Sequence, residues 1–231
     1  DRGIGIAPHD EHRIFEKYGV KPTYMVDFPV ASQDAGRAPL RELLEGGMCD
    51  VGAQLHPWVT PPFDETVSFH NSYQGNLPAQ VEYDKIAALT GEIADAFGTE
   101  PRIFRAGRYG VGQNTGKILR DLGYHADSSV VPCWSFGSEG GPDYRLMTAH
   151  PFWIDREQTL LELPVSAAVV GHAAGLPATI TSGLFRPVSE RMHLPSIMAR
   201  LGLLERIKLT PEGIAIEEAK LRRKSTGREQ H

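Results

Sequence analysis

Short apolar runs alternate with longer amphipathic stretches along the chain, and the two patterns predict strands and helices in turn. Residues 10–18 (DEHRIFEKY) predict a helix that Asp10 can cap and Gly19 can end in the left-handed conformation. Residues 22–28 (PTYMVDF) are β-branched, aromatic and too few for a helix, so they predict a strand. A helix over 37–45, closed by Gly46 and Gly47, leads to a second strand over 49–55. The polar stretch 57–78, with clustered Pro, Asn and Gly, predicts a loop, which Pro57, Pro61 and Pro62 stiffen along an extended path. The strongest helical pattern is Ala79–Phe97, where Val81, Ile86, Leu89, Ile93 and Phe97 form one stripe and Gly98 stands at the end. Further along come a strand over 102–104, a helix capped by Asn114 and ended at Gly123, strands over 124–129 and 159–165, and a helix over 194–207.

Repeated strand–helix–strand order predicts a parallel sheet, because parallel neighbours need a helical crossover to return the chain. No repeat and no Ser/Gly-rich linker divides the sequence, so one α/β domain is expected. Such folds bind ligands at the carboxyl ends of their strands.

Composition narrows the function. With 231 residues, 41% hydrophobic and 23% charged, the chain has the balance of a globular domain. The net charge of -5 gives no electrostatic footprint for nucleic acid, and no apolar run approaches the roughly 18 residues of a membrane span. Cys49 and Cys133 are too few for a disulfide framework. From Ala219 the sequence turns basic (AKLRRKSTGREQH), which predicts a solvated, disordered tail over 219–231 behind a domain over 1–218.

Chemistry-bearing residues follow the predicted strands: Asp27 after the first, His56 after the second, Arg105 and Arg108 after the third, and Asp127 near the end of the fourth. Placed on one face of a sheet, they would offer a carboxylate and an imidazole to a divalent metal, and guanidinium groups to an anionic or polyol ligand. Trp58, beside His56 in GAQLHPWVTPPF, would give a sugar ring an apolar face to stack on; the competing reading is a core aromatic. Two nucleotide-binding patterns fail. GVGQNTGKI sets Gly112 and Gly116 one residue too close for a P-loop and has Ile118 where Ser or Thr is needed, and GRYGVG lacks the G-x-G-x-x-G spacing. No G-x-S-x-G turn supports a serine hydrolase.

The phrases YGVKPTYMVDFPVAS, DVGAQLHPWVTPPF, GNLP, FRAGRYGVGQNTGKILRDLGY, DSS and LLELPV, in that order, resemble a branch of the polysaccharide deacetylases, the NodB-homology or carbohydrate esterase family 4 group. The resemblance extends as far as LTPEG at 209–213. It implies a distorted (β/α)7 barrel, a divalent metal that is usually zinc, and removal of acetyl groups from an N-acetylated glycan. It further implies that His56 is the metal ligand of the second family motif. Arg105 or Arg108 would orient a catalytic carboxylate in the third motif, with Tyr109 lining the groove. Asp127 would be the acid of the fourth. Departures accompany it. Gln54 and Trp58 stand where the second motif has its two histidines, RAGRYG replaces R-P-P-Y-G, and Asp27 is the available substitute ligand. The first motif would lie at or before Asp1, and the fifth beyond Gly213, so the resemblance implies a family member truncated at both ends. The competing expectation is a non-catalytic carbohydrate-binding or interaction domain that keeps the barrel.

Overall fold

The computed structural model describes residues 17–170, 172, 194–201 and 205–208. In chain order the elements are β1 (Thr23–Val26), α1 (Phe28–Ser32), α2 (Asp34–Glu45), β2 (Asp50–Leu55), α3 (Ala79–Phe97), β3 (Ile103–Ala106), α4 (Thr115–Asp121), β4 (Ala126–Asp127), β5 (Phe152–Trp153), β6 (Leu161–Glu162), β7 (Ala167–Val170), α5 (Leu194–Arg200) and β8 (Glu205–Lys208). The main sheet has the order β1-β2-β3-β4-β6-β5. Its first five strands pair in parallel, and β5 adds antiparallel to β6 at the edge. The alternation read from the sequence thus becomes a mixed α/β fold with a parallel-rich sheet. Among the described residues that sheet is open; they do not close a barrel. Strands β7 and β8 form a separate antiparallel pair.

Alternation along β2 decides what each face carries. Val51, Ala53 and Leu55 are buried against the helical layer, where Ile86, Leu89 and Ile93 of α3 meet Val26, Phe104 and Ala106. Each of the Val, Leu, Ile and Phe side chains here contributes about 1.5–3 kcal/mol on burial, so this layer fixes the sheet. Gly52 and Gln54 then point to the opposite face. Helix α3 has the bounds that its apolar stripe predicts, and Gly98 ends it with φ 67°, its N–H bonding the Ala94 carbonyl.

Other expectations shift. The helix expected over 37–45 starts at Asp34, and α1 precedes it, nucleated by Asp27 as N-cap with Pro29 in the first turn. Asn114 occupies the cap position of α4 without a side-chain cap bond; Thr115 Oγ1 instead accepts from the Gly112 N–H at 2.8 Å. The expected extended path through Pro61–Pro62 contains a cis peptide bond. The strands expected over 124–129 and 159–165 are two-residue ladders. The helix expected over 194–207 stops at Arg200, and Glu205–Lys208 is a strand, because pairing with Ala167–Val170 overrides the local pattern. Of the helix expected over 10–18, Lys17 and Tyr18 are described and helical, with Gly19 at φ 61°. Asp1, the segment 209–213 and the basic tail lie outside the described residues. No described helix is long and apolar enough to cross a membrane.

Candidate active site

Asp27 leaves β1 and turns into α1. Its Oδ1 accepts from the Val30 N–H at 3.2 Å, and its Oδ2 lies 3.2 Å from Nδ1 of His56, which leaves β2. Both side chains are 25% exposed, so the pair sits at the surface of the fold but shielded on most sides. The imidazole beside Asp27 holds its carboxyl below the usual carboxylate range, against the opposing effect of burial. A carboxylate fixing Nδ1 sets the ring's orientation and leaves Nε2 as the working atom. Gly107, after β3, closes on that edge of the ring: a Cβ there would stand 3.0 Å from Nε2. Trp58 stands in the short turn Pro57–Val59, its ring centroid 5.0 Å from that of His56 with a 39° tilt, and it is 39% exposed.

Arg105 and Asp127, expected on one face with His56, take alternate faces where β3 meets β4, with the Arg105 charge still acting on the Asp127 carboxyl. The β3–β4 register opposes Phe104 to Asp127, so Asp127 shares the face of Phe104 and Arg105 takes the other. Arg105 spends donors on the residue that follows β4, Nε on the Ser128 carbonyl at 3.0 Å and Nη2 on Ser128 Oγ at 2.9 Å. Asp127 is buried, accepts from Ser129 Oγ and lies opposite Glu162 in the β4–β6 register. Burial, and then the charge of Asp127 beside it, push the Glu162 carboxyl upward, and burial pushes the Asp127 carboxyl upward as well. The Val130 N–H also bonds Glu162, at 2.9 Å. Glu162 has no distinguishing signal in the sequence; its place one strand over from Asp127 is a matter of register.

Arg108 and Tyr109 stand in the left-handed region, with φ 53° and 57°. Non-glycine residues avoid it, and each such residue costs of order 1–3 kcal/mol. The compensation for Arg108 is dense. Its guanidinium lies between the Phe69 and Tyr73 rings, 4.2 and 4.3 Å from their centroids, and bonds Ser72 Oγ, Tyr73 Oη and Glu139 Oε2. Burial, with the bond to Glu139 adding to it, pushes the Tyr73 phenol up to about 12. The Tyr109 carbonyl accepts from Tyr144 Oη at 2.6 Å, and its ring stacks on Phe136 at 6.0 Å. Arg108 thus binds two loops together, with Glu139 balancing its charge, while Tyr109 offers a half-buried aromatic face.

Asp27 and His56 are the donors the described residues offer to a divalent metal. No group of three or more His, Cys, Asp or Glu side chains able to hold one occurs among the described residues. Zinc takes three protein ligands and an open position. The described residues therefore do not fit a complete zinc site.

No family model and no curated protein matches the chain. Solved structures do. A protein assigned as a polysaccharide deacetylase from Mycobacterium smegmatis is 18% identical with a TM-score of 0.47, over 67% of this chain and 44% of its own. IcaB from Ammonifex degensii is 21% identical with a TM-score of 0.38, over 52% of each chain. The BpsB deacetylase domain from Bordetella bronchiseptica is 13% identical with a TM-score of 0.41, over 54% of this chain and 59% of its own. This chain spans less than two thirds of each of them. It resembles polysaccharide deacetylases by its sequence phrases and has such proteins among its structural neighbours. At these TM-scores the functional reading rests on the site's own residues.

Proposed function

We propose that this chain carries a hydrolase site that removes N-acetyl groups from an acetylated glycan, with His56 as the proton-handling residue and Asp27 as its orienting partner. The observation that carries the reading is the 3.2 Å contact between Asp27 Oδ2 and His56 Nδ1 at the carboxyl ends of adjacent parallel strands. Amide hydrolysis needs a base to take the proton of the attacking water and an acid to protonate the leaving amine. Imidazole is the side chain most often used for both. Held at Nδ1, His56 presents Nε2 for the transfer. Trp58 would stack on the sugar ring beside it, and Tyr109 would extend the apolar surface. Arg105, through Ser128, and Asp127, through Ser129 and Glu162, would hold the ends of β3 and β4, and Arg108 would fix the loop that bears Tyr109. The resemblance implies a divalent metal, usually zinc, which would polarise the acetyl carbonyl, with Asp27 and His56 as the donors among the described residues.

A second reading, a carbohydrate-binding domain without catalysis, is favoured by that shortfall of ligands. Acetate release from acetylated chitooligosaccharides, measured with binding of the same sugars, separates the two. Release that falls at least about a hundredfold in His56→Ala, with binding retained, supports the hydrolase. Binding lost in Trp58→Ala from a protein that releases no acetate supports the second reading.

A further inference from the structure

Lys85 is fully buried in α3, on the stripe that Ile86 and Leu89 share. Its ammonium bonds the carbonyl oxygens of Pro57 at 3.0 Å, Thr60 at 2.6 Å and Pro62 at 2.6 Å, and pairs with Glu65 Oε1 at 2.9 Å. Burying a charge is expensive, and an apolar side chain of similar volume would fill the space at no such cost. What an apolar side chain cannot supply is donors for carbonyls that converge on one point. Those carbonyls belong to the segment that follows His56 and contains Trp58. Within it, Thr60 Oγ1 and the Val59 N–H both bond the His56 carbonyl, at 3.0 and 3.2 Å. The ammonium is therefore the centre around which the chain after His56 is wound.

We infer that Lys85 is a positioning residue: its ammonium, through the Pro57, Thr60 and Pro62 carbonyls, holds His56 against Asp27 and Trp58 beside His56. The inference rests on the proposed role of His56 for its catalytic consequence, though not for its geometry. In the direction of cause, Lys85 sets the loop, the loop sets the His56 backbone, and the backbone sets where the ring meets Asp27.

The test compares Glu65→Gln with the double variant Lys85→Met/Glu65→Gln. The first keeps the ammonium and its carbonyls. The second removes both charges together, so that neither is left buried and unpaired. Three readouts are taken on the full chain: hydrogen exchange at Val59 and Thr60, the proton resonance of His56 Nδ1–H, and kcat for acetate release. In the double variant the two amides exchange at least about tenfold faster while α3 amides keep their rates. The Nδ1–H resonance broadens or disappears, and kcat falls at least about tenfold; Glu65→Gln, which leaves the ammonium on its three carbonyls but without its counter-charge, gives a smaller change than the double variant on each readout. Unchanged amide exchange and an unchanged Nδ1–H resonance in the double variant would overturn the inference. If the parent protein releases no acetate, the hydrolase reading fails, and the exchange and resonance measurements still decide the role of Lys85.

Discussion

Gly107 lies against the edge of the His56 imidazole: a Cβ at that position would stand 3.0 Å from Nε2 and closer still to Cδ2 and to the Leu55 carbonyl oxygen. The glycine is required by space, since the ring cannot retreat without leaving Asp27. Gly107→Ala should therefore destabilise the fold by about 1–3 kcal/mol through overpacking. It should also lower acetate release by at least about tenfold through displacement of the ring. Urea unfolding and acetate assays check the two effects; a variant with parental stability and activity would show that His56 does not occupy this position.

Glu82 gives a pH dependence of known sign. It is fully buried on α3, accepts from Gln74 Nε2 at 3.2 Å and from Thr115 Oγ1, and among the described residues has no cation bonded to it. Burial raises its pKa above the ordinary glutamate value. The folded state then binds a proton that the unfolded state has released. The stability this contributes is complete below the unfolded pKa and is lost as pH rises through the folded one. Glu82→Gln keeps the shape and removes the proton. Relative to the parent, the variant should gain about 1.4 kcal/mol per pH unit across the window in which only the unfolded carboxyl is ionised. Chemical denaturation of both proteins from pH 4 upward measures the slope. A flat difference would mean that Glu82 is ionised in the fold.

The Asp127–Glu162 pair predicts a contrast between two substitutions at one site. Burial pushes both carboxyls of the pair upward, which favours a proton held between them, and an amide can stand in for a protonated Glu162; Glu162→Gln should therefore stay within about 1 kcal/mol of the parent at neutral pH. Glu162→Ala leaves the buried Val130 N–H without its side-chain acceptor and Asp127 with Ser129 as its remaining side-chain partner, and should cost about 2–3 kcal/mol. Equal losses from Gln and Ala, read from urea midpoints, would contradict a protonated Glu162.

The sequence makes some of this arrangement legible and hides the rest for physical reasons. Helix α3 is plain because its apolar stripe and Gly98 agree on the same boundaries. Strands β1, β2 and β3 are plain because short apolar runs are bounded by turn residues, and that is enough to place Asp27 and His56 directly after β1 and β2; Arg105, expected after the third strand, falls inside β3, which runs on to Ala106. The pairing of Asp27 with His56 was half visible, since both follow neighbouring strands, yet its geometry depends on the α1 turn that Asp27 caps. The Asp-x-Pro signal for that turn is present at Asp27 and Pro29. Glu82 and Lys85 were also within reach: they fall at helical spacing on the stripe of Ile86 and Leu89, and a count of apolar residues passes over them. What local patterns cannot give is register. Ladders as short as β4 and β6 exist only through their neighbours, so the face on which Asp127 points, and its partner Glu162, follow from pairing alone. The hydrogen-bond partners of Arg108 are 31 to 36 residues away, beyond any periodicity.

The most direct test of the account is acetate release from acetylated chitooligosaccharides by the parent protein, Asp27→Asn and His56→Ala, each checked to be folded. The account predicts release by the parent, a fall of at least about tenfold when Asp27 can no longer hold the ring by its charge, and a fall of at least about a hundredfold when the imidazole is removed. Parental rates from a folded His56→Ala protein would contradict it.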